Sequence, residues 1–160
     1  MIIRMTQKLA RKLDAELNPC LPAADNPFQD WHAHLFTADR VQYIIVTNTA
    51  SFYSMVMLGR GIRDENEFIQ ATRSLMRDFL SLDGNKFFYE RFIIPMAPIM
   101  LCKTGNRSVL AVMNNMLYSA KIDLKESQIS PFDMAIKLND STVPLLKRTP
   151  KEAFRALKAK

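Results

Sequence analysis

The sequence predicts an α+β domain: a mostly antiparallel sheet with a central β-meander, helices packed mainly on one face, and a basic C-terminal helix. Three observations lead there. Strand-like runs over residues 30–36, 41–47 and 52–58 follow one another through turns short enough for hairpins. Two longer stretches, one carrying Phe68, Thr72, Leu75, Met76, Phe79 and Leu80, the other Val109, Val112, Met113, Met116 and Leu117, repeat apolar residues at helical spacing. Finally, 160 residues at 48% hydrophobic suffice for one core but fall short of two ordinary domains, so residues 1–160 are expected to fold as one.

In chain order, residues 1–5 are apolar and partly β-branched and suit a first strand. Thr6 can cap a helix over 7–17, in which Leu9, Leu13 and Leu17 share a face. Residues 18–29 hold three prolines and no periodicity, which reads as a loop. After the meander, Asp64 and Glu67 form a capping-box-like start to the first long helix, and Gly84 stops or bends it. Residues 86–94 continue helically until Pro95 and Pro98 interrupt them, and 99–103 read as another short strand. Gly105-Asn106 leads into the second long helix. A short strand is expected over 134–138, and Thr149-Pro150-Lys151-Glu152 opens a terminal helix over 150–159.

Charge is concentrated at one end. Residues 147–160 carry +5 of the net +6, and the other 146 residues balance sixteen basic against fifteen acidic side chains. A broad nucleic-acid surface on the main body is therefore not indicated. On a helical wheel Arg148, Lys151, Arg155 and Lys158 oppose Ala153, Phe154 and Leu157, so the tail could contact nucleic acid or an acidic protein partner, or simply dock with its charges in water. No run is long enough to span a membrane and no secretory signal is evident, which points to the cytoplasm. Cys20 and Cys102 lack metal-ligand spacing and fit a reducing compartment.

The segment Asp30-Trp31-His32-Ala33-His34-Leu35 holds the only tryptophan and both histidines. In a strand, Asp30, His32 and His34 face one way and Trp31, Ala33 and Leu35 the other. One carboxylate and two imidazoles could offer ligands to a zinc-like ion, but the plainer reading is the wet face of an edge strand, and neither a metal nor a cofactor is assigned. His32 can also serve as a general acid or base. Residues 103–108 run from a strand through glycine into a helix N-terminus, where free backbone N–H groups, Lys103 and Arg107 favour an anion. The spaced glycines and Lys-Ser/Thr pair of a Walker motif are absent. Asn48 reads as a turn residue, while Asn114 and Asn115 stand inside a helix, where asparagine is disfavoured without a partner.

Several stretches together resemble an uncharacterised bacterial family, the domain of unknown function 6933. They are Met1-Ile2-Ile3-Arg4-x-Thr6-x-Lys8-Leu9, Trp31-His32-Ala33-x-Leu35, Thr47-Asn48, Lys103-Thr104-x-Asn106-Arg107-Ser108-Val109-Leu110-x-x-Met113-Asn114, Leu138-Asn139-Asp140-Ser141 and Pro150-x-Glu152-Ala153-Phe154. The resemblance implies no activity. Its pattern places asparagine where this chain has His34, which implies that His32 is the shared histidine. It supports a common site built from Trp31, His32, Asn48, Lys103, Asn106, Arg107 and Asn114.

The leading expectation is therefore a small domain that binds a phosphate-bearing anion, either nucleotide or RNA. Lys103, Asn106 and Arg107 would hold the anion, with His32 and Asn48 orienting it and Asn114 as a further ligand-binding residue. Two alternatives stay open: a metal-independent phosphodiesterase or RNase using His32, and a protein-interaction or toxin–antitoxin-type accessory. The sequence leaves catalysis, strand order and oligomeric state undecided.

Overall fold

A computed structural model describes residues 1–94 and 98–159. The expected interruption at Pro95 and the terminal Lys160 lie outside the described residues. The protein is α+β, with a five-stranded, mostly antiparallel sheet in the order β4-β3-β2-β1-β5. The strands are β1 (Ile2–Met5), β2 (Asp30–Ala38), β3 (Val41–Asn48), β4 (Ser54–Leu58) and β5 (Met100–Lys103).

The meander holds as read: β2, β3 and β4 pair antiparallel, with Trp31 opposite Asn48 and Val46 opposite Met55. Asp39 and Arg40 both take positive φ, the conformation that a tight hairpin needs to match the twist of its strands. What the sequence left open is the other half. β1 inserts between β2 and β5, parallel to both, so β2 is the central strand rather than an edge. Parallel neighbours need a crossover, and α1 (Gln7–Leu13) with the following loop supplies the one from β1 to β2. α1 is shorter than expected because Asp14 adopts the left-handed conformation that ends helices.

Helices lie on both sides of the sheet. On the Trp31 side are α2 (Glu65–Leu82), α3 (Lys86–Phe88) with the π-helical turn Tyr89–Ile93, and α6 (Pro150–Arg155). Their rings close an aromatic core in which Phe28 stacks on Phe92 at 4.7 Å and Tyr53 on Phe154 at 4.5 Å. Trp31 is fully buried beside Phe154, and its Nε1–H donates to the Phe28 carbonyl at 2.8 Å. α4 (Arg107–Glu126) contacts β2 from the His32 side, and α1 also touches β2. The Asp30, His32, His34 face is thus covered instead of wet, and His32 is 0% exposed.

The strand expected over 134–138 is part of a helix, α5 (Pro131–Asp140). Ser130 accepts from the Asp133 N–H and Pro131 occupies the first turn, a start signal that outweighs the short apolar run after it. α5 runs along the outer edge of β4. There the Asn139 side-chain amide pairs with both backbone groups of Ser54, accepting from its N–H at 2.7 Å and donating to its carbonyl at 2.8 Å. One side chain thus does what a sixth strand would do, satisfying edge groups that would otherwise invite another chain.

Candidate functional site

The site begins with a charge in an apolar strand. Ile2-Ile3-Arg4-Met5 is buried throughout, and a buried guanidinium must be paired. Arg4 donates to both oxygens of Asp30 on the neighbouring strand, each at 2.8 Å, and its remaining N–H groups donate to the Leu21 and Pro22 carbonyls at 2.7 Å. The Arg4 guanidinium is held above its ordinary pKa chiefly by the hydrogen bond to Asp30. Burial pushes the Asp30 carboxyl up. Hydrogen bonds from Arg4, the Ala24 N–H and Thr49 outweigh that and leave it below the usual carboxylate range.

His32 joins this pair through Thr49. The Thr49 hydroxyl donates to Asp30 Oδ1 at 2.8 Å and lies 2.9 Å from His32 Nδ1. A hydroxyl has one proton to give, so the imidazole donates from Nδ1 and Nε2 carries the lone pair. That Nε2 is buried and has no hydrogen-bond partner among the described residues. Burial lowers the His32 pKa to about 4, with the Asp30 charge opposing and Arg4 assisting, so the ring is neutral at pH 7. His34, one turn of the pleat further on, is half-buried, and burial together with Lys8 and Lys121 lowers its pKa. Asp30 is committed to Arg4 and Thr49, and does not join the two histidines as a ligand set.

Over this chain of groups lies a cleft of about 540 Å³, lined by Arg4, Asp30, Thr49, Cys20, Asn106 and Arg107, among others. Asn106 caps α4 by accepting from the Val109 N–H at 3.1 Å. That leaves the N–H groups of Arg107 and Ser108, at the helix start, for solvent or a ligand. Arg107 is exposed and forms no ion pair among the described residues. Gly105 lies close to Cys20: a Cβ there would meet the Sγ at 2.8 Å, and the exposed thiol would have to rotate away.

The residues expected to share a site are only partly together. Asn106 and Arg107 reach the cleft, and His32 stands behind Thr49 without lining it. Lys103 is elsewhere. Its register partner is Met5, one residue past Arg4, so the alternation of a strand points it to the opposite face, beside Gln7 and Leu17. Asn48 is consumed by its own turn. Its Oδ1 accepts from Ala50, Ser51 and the Ser51 hydroxyl, while its Nδ2 donates to the Pro27 and Asp30 carbonyls. Asn114 is exposed on the outer face of α4.

The tail residues divide as well. Lys151 pairs with Asp83, and Arg155 donates to Asn85 Oδ1 at 2.9 Å and to the Asp83 carbonyl at 3.3 Å, whereas Arg148 and Lys158 stay exposed. α6 also ends at Arg155, short of the expected 159. Arg4, Thr49 and Cys20 escaped the sequence reading. The signal for Arg4 was there: a lone charge inside Ile-Ile-Arg-Met requires a buried partner, and Asp30 opens the next strand.

Among the described residues no helix is long and apolar enough to cross a membrane, and no cluster of three His, Cys, Asp or Glu side chains could hold a metal ion. No curated protein matches the chain. A family model does match, over residues 2–155, and by that match the chain belongs to the domain of unknown function 6933 family.

Proposed function

We propose that this domain binds an anionic, phosphate-bearing ligand of the nucleotide or RNA class in the cleft at the start of α4. The observation that carries this reading is Arg107, which forms no ion pair among the described residues, at the first residue of a twenty-residue helix and bordering a cleft of about 540 Å³. The Arg4–Asp30 pair is neutral as a unit, so Arg107 and the helix end set the sign of the cleft. Thr49, fixed between Asp30 and His32, presents a positioned hydroxyl oxygen on the opposite wall. In this reading His32 orients Thr49. Its complete burial and low pKa argue against the role of proton-transfer group, which needs contact with the reacting atoms.

Titration of the full chain with AMP and with a short single-stranded RNA tests the proposal. Arg107→Ala should weaken binding of either by about ten- to a hundredfold, the range for a charge-assisted hydrogen bond. RNA affinity should also fall steeply with salt. Failure of both probes to bind, or equal affinity in Arg107→Ala, would sink the reading.

A further inference from the structure

Farther along α4, between it, α5 and residues 141–145, runs a larger groove of about 640 Å³ that shares no lining residue with the anion cleft. Met116, Met134, Leu138 and Val143 form its buried floor, and Ile122 and Leu145 stand exposed at its rim. Methionine side chains adapt to irregular shapes, and a concave, mostly apolar space of about 300–1,000 Å³ between helices is the usual form of a small-molecule site.

Two features narrow what fits. The charged groups lining the groove, Asp123 and Lys137, neutralise each other across it at 2.7 Å, so no free charge faces an occupant. The polar groups that remain are neutral. Asn115, Ser119 and Thr142 line the groove and their side chains make no hydrogen bond to protein among the described residues. Asn115 is also one of the helix-interior asparagines for which the sequence demanded a reason. The exposed large apolar side chains at the rim are two, Ile122 and Leu145, whereas each partner contributes roughly 800 Å² and about 20–30 residues to an ordinary protein interface.

We infer that this groove is a second binding site, for an uncharged amphipathic small molecule that lays its apolar body on the methionine floor and hydrogen-bonds the Asn115 amide. N-phenylnaphthylamine and anilinonaphthalene sulfonate share that kind of body and an N–H, and differ in charge. Fluorescence titration of the full chain should show saturable binding of one amine per chain. The sulfonate should bind at least about tenfold more weakly, because its charge would be desolvated without a partner.

Ser119→Trp, which fills the groove from an exposed helix position, should abolish binding, and Asn115→Leu should weaken it several-fold. Methionine-methyl NMR provides a readout on the unaltered chain: the amine should shift Met116 and Met134 among the ten methionines. The inference is overturned by absent or unsaturable amine binding, by a sulfonate bound as tightly as the amine, by shifts that spare both methionines, or by unchanged binding in Ser119→Trp. A concentration-dependent dimer that Ser119→Trp dissociates would also overturn it, assigning the groove to a second copy of the chain.

Discussion

The protein contains two polar clusters, each around a buried carboxylate and built from similar parts. One joins Arg4, Asp30, Thr49 and His32. The other joins Tyr53, Asp83, Asn85, Lys151 and Arg155, with the Tyr53 hydroxyl donating to Asp83 Oδ2 at 2.5 Å and Asn85 Nδ2 donating to the same oxygen at 3.2 Å. Each ties distant parts of the chain together through a carboxylate and a cation. They differ in what lies outside them. The Asp83 cluster is closed by α6, whose Lys151 and Arg155 complete it, and burial together with Asp83 drives the Tyr53 hydroxyl far above its ordinary pKa. The Asp30–Arg4 pair forms without Arg107, which borders the cleft above it and makes no ion pair among the described residues. A network closed by its own cations holds a fold, whereas a network with a spare charge beside it can also hold a ligand.

The largest expected effect is at the center of the first cluster. Asp30→Ala leaves Arg4 buried and uncompensated and should destabilise the protein by about 3–5 kcal/mol, measured by denaturant unfolding. Asp83→Ala should cost less, about 1–3 kcal/mol, because Lys151 is partly exposed and can rehydrate. Equal losses would mean that the two clusters are energetically alike and that exposure does not separate them.

His32 makes the comparison sensitive to pH. Its folded pKa of about 4 lies below the ordinary value of 6.5, so between those limits the unfolded chain binds the extra proton. Stability should therefore fall as pH drops from 6.5 towards 4, by at most about 1.4 kcal/mol per pH unit, and His32→Gln should flatten that limb of the profile. An unchanged limb would place the acid sensitivity in other groups. The smallest structural effect belongs to Arg107→Ala. It should leave the unfolding midpoint unchanged while weakening anion binding, and a lowered midpoint would mean that Arg107 is part of the scaffold.

Much of the fold was legible because local rules act on neighbouring residues. The alternation in residues 30–36 correctly separated Trp31 from His32, and Asp64 and Thr149 cap helices at the positions their side chains suggested, whereas the Thr6 side chain makes no cap bond to α1. The helix α5 shows the limit of periodicity: Met134-Ala135-Ile136-Lys137-Leu138 is short enough to suit a strand, and the Ser130-Pro131 start had to decide. The candidate site was harder. Lys103 and Arg107 are four residues apart, yet strand alternation and the helix start send them to opposite faces.

The sequence by itself determined the α+β class, the meander, the caps at Asp64 and Thr149 and the family, since each rests on residue type and short spacing. Only the tertiary structure decided that β1 lies beside β2, that Arg4 therefore meets Asp30, and that Lys151 and Arg155 are bound to Asp83 and Asn85 instead of free. These contacts join residues between 26 and 70 positions apart. Which distant partner a buried charge finds depends on strand order and packing, and no local pattern encodes that choice.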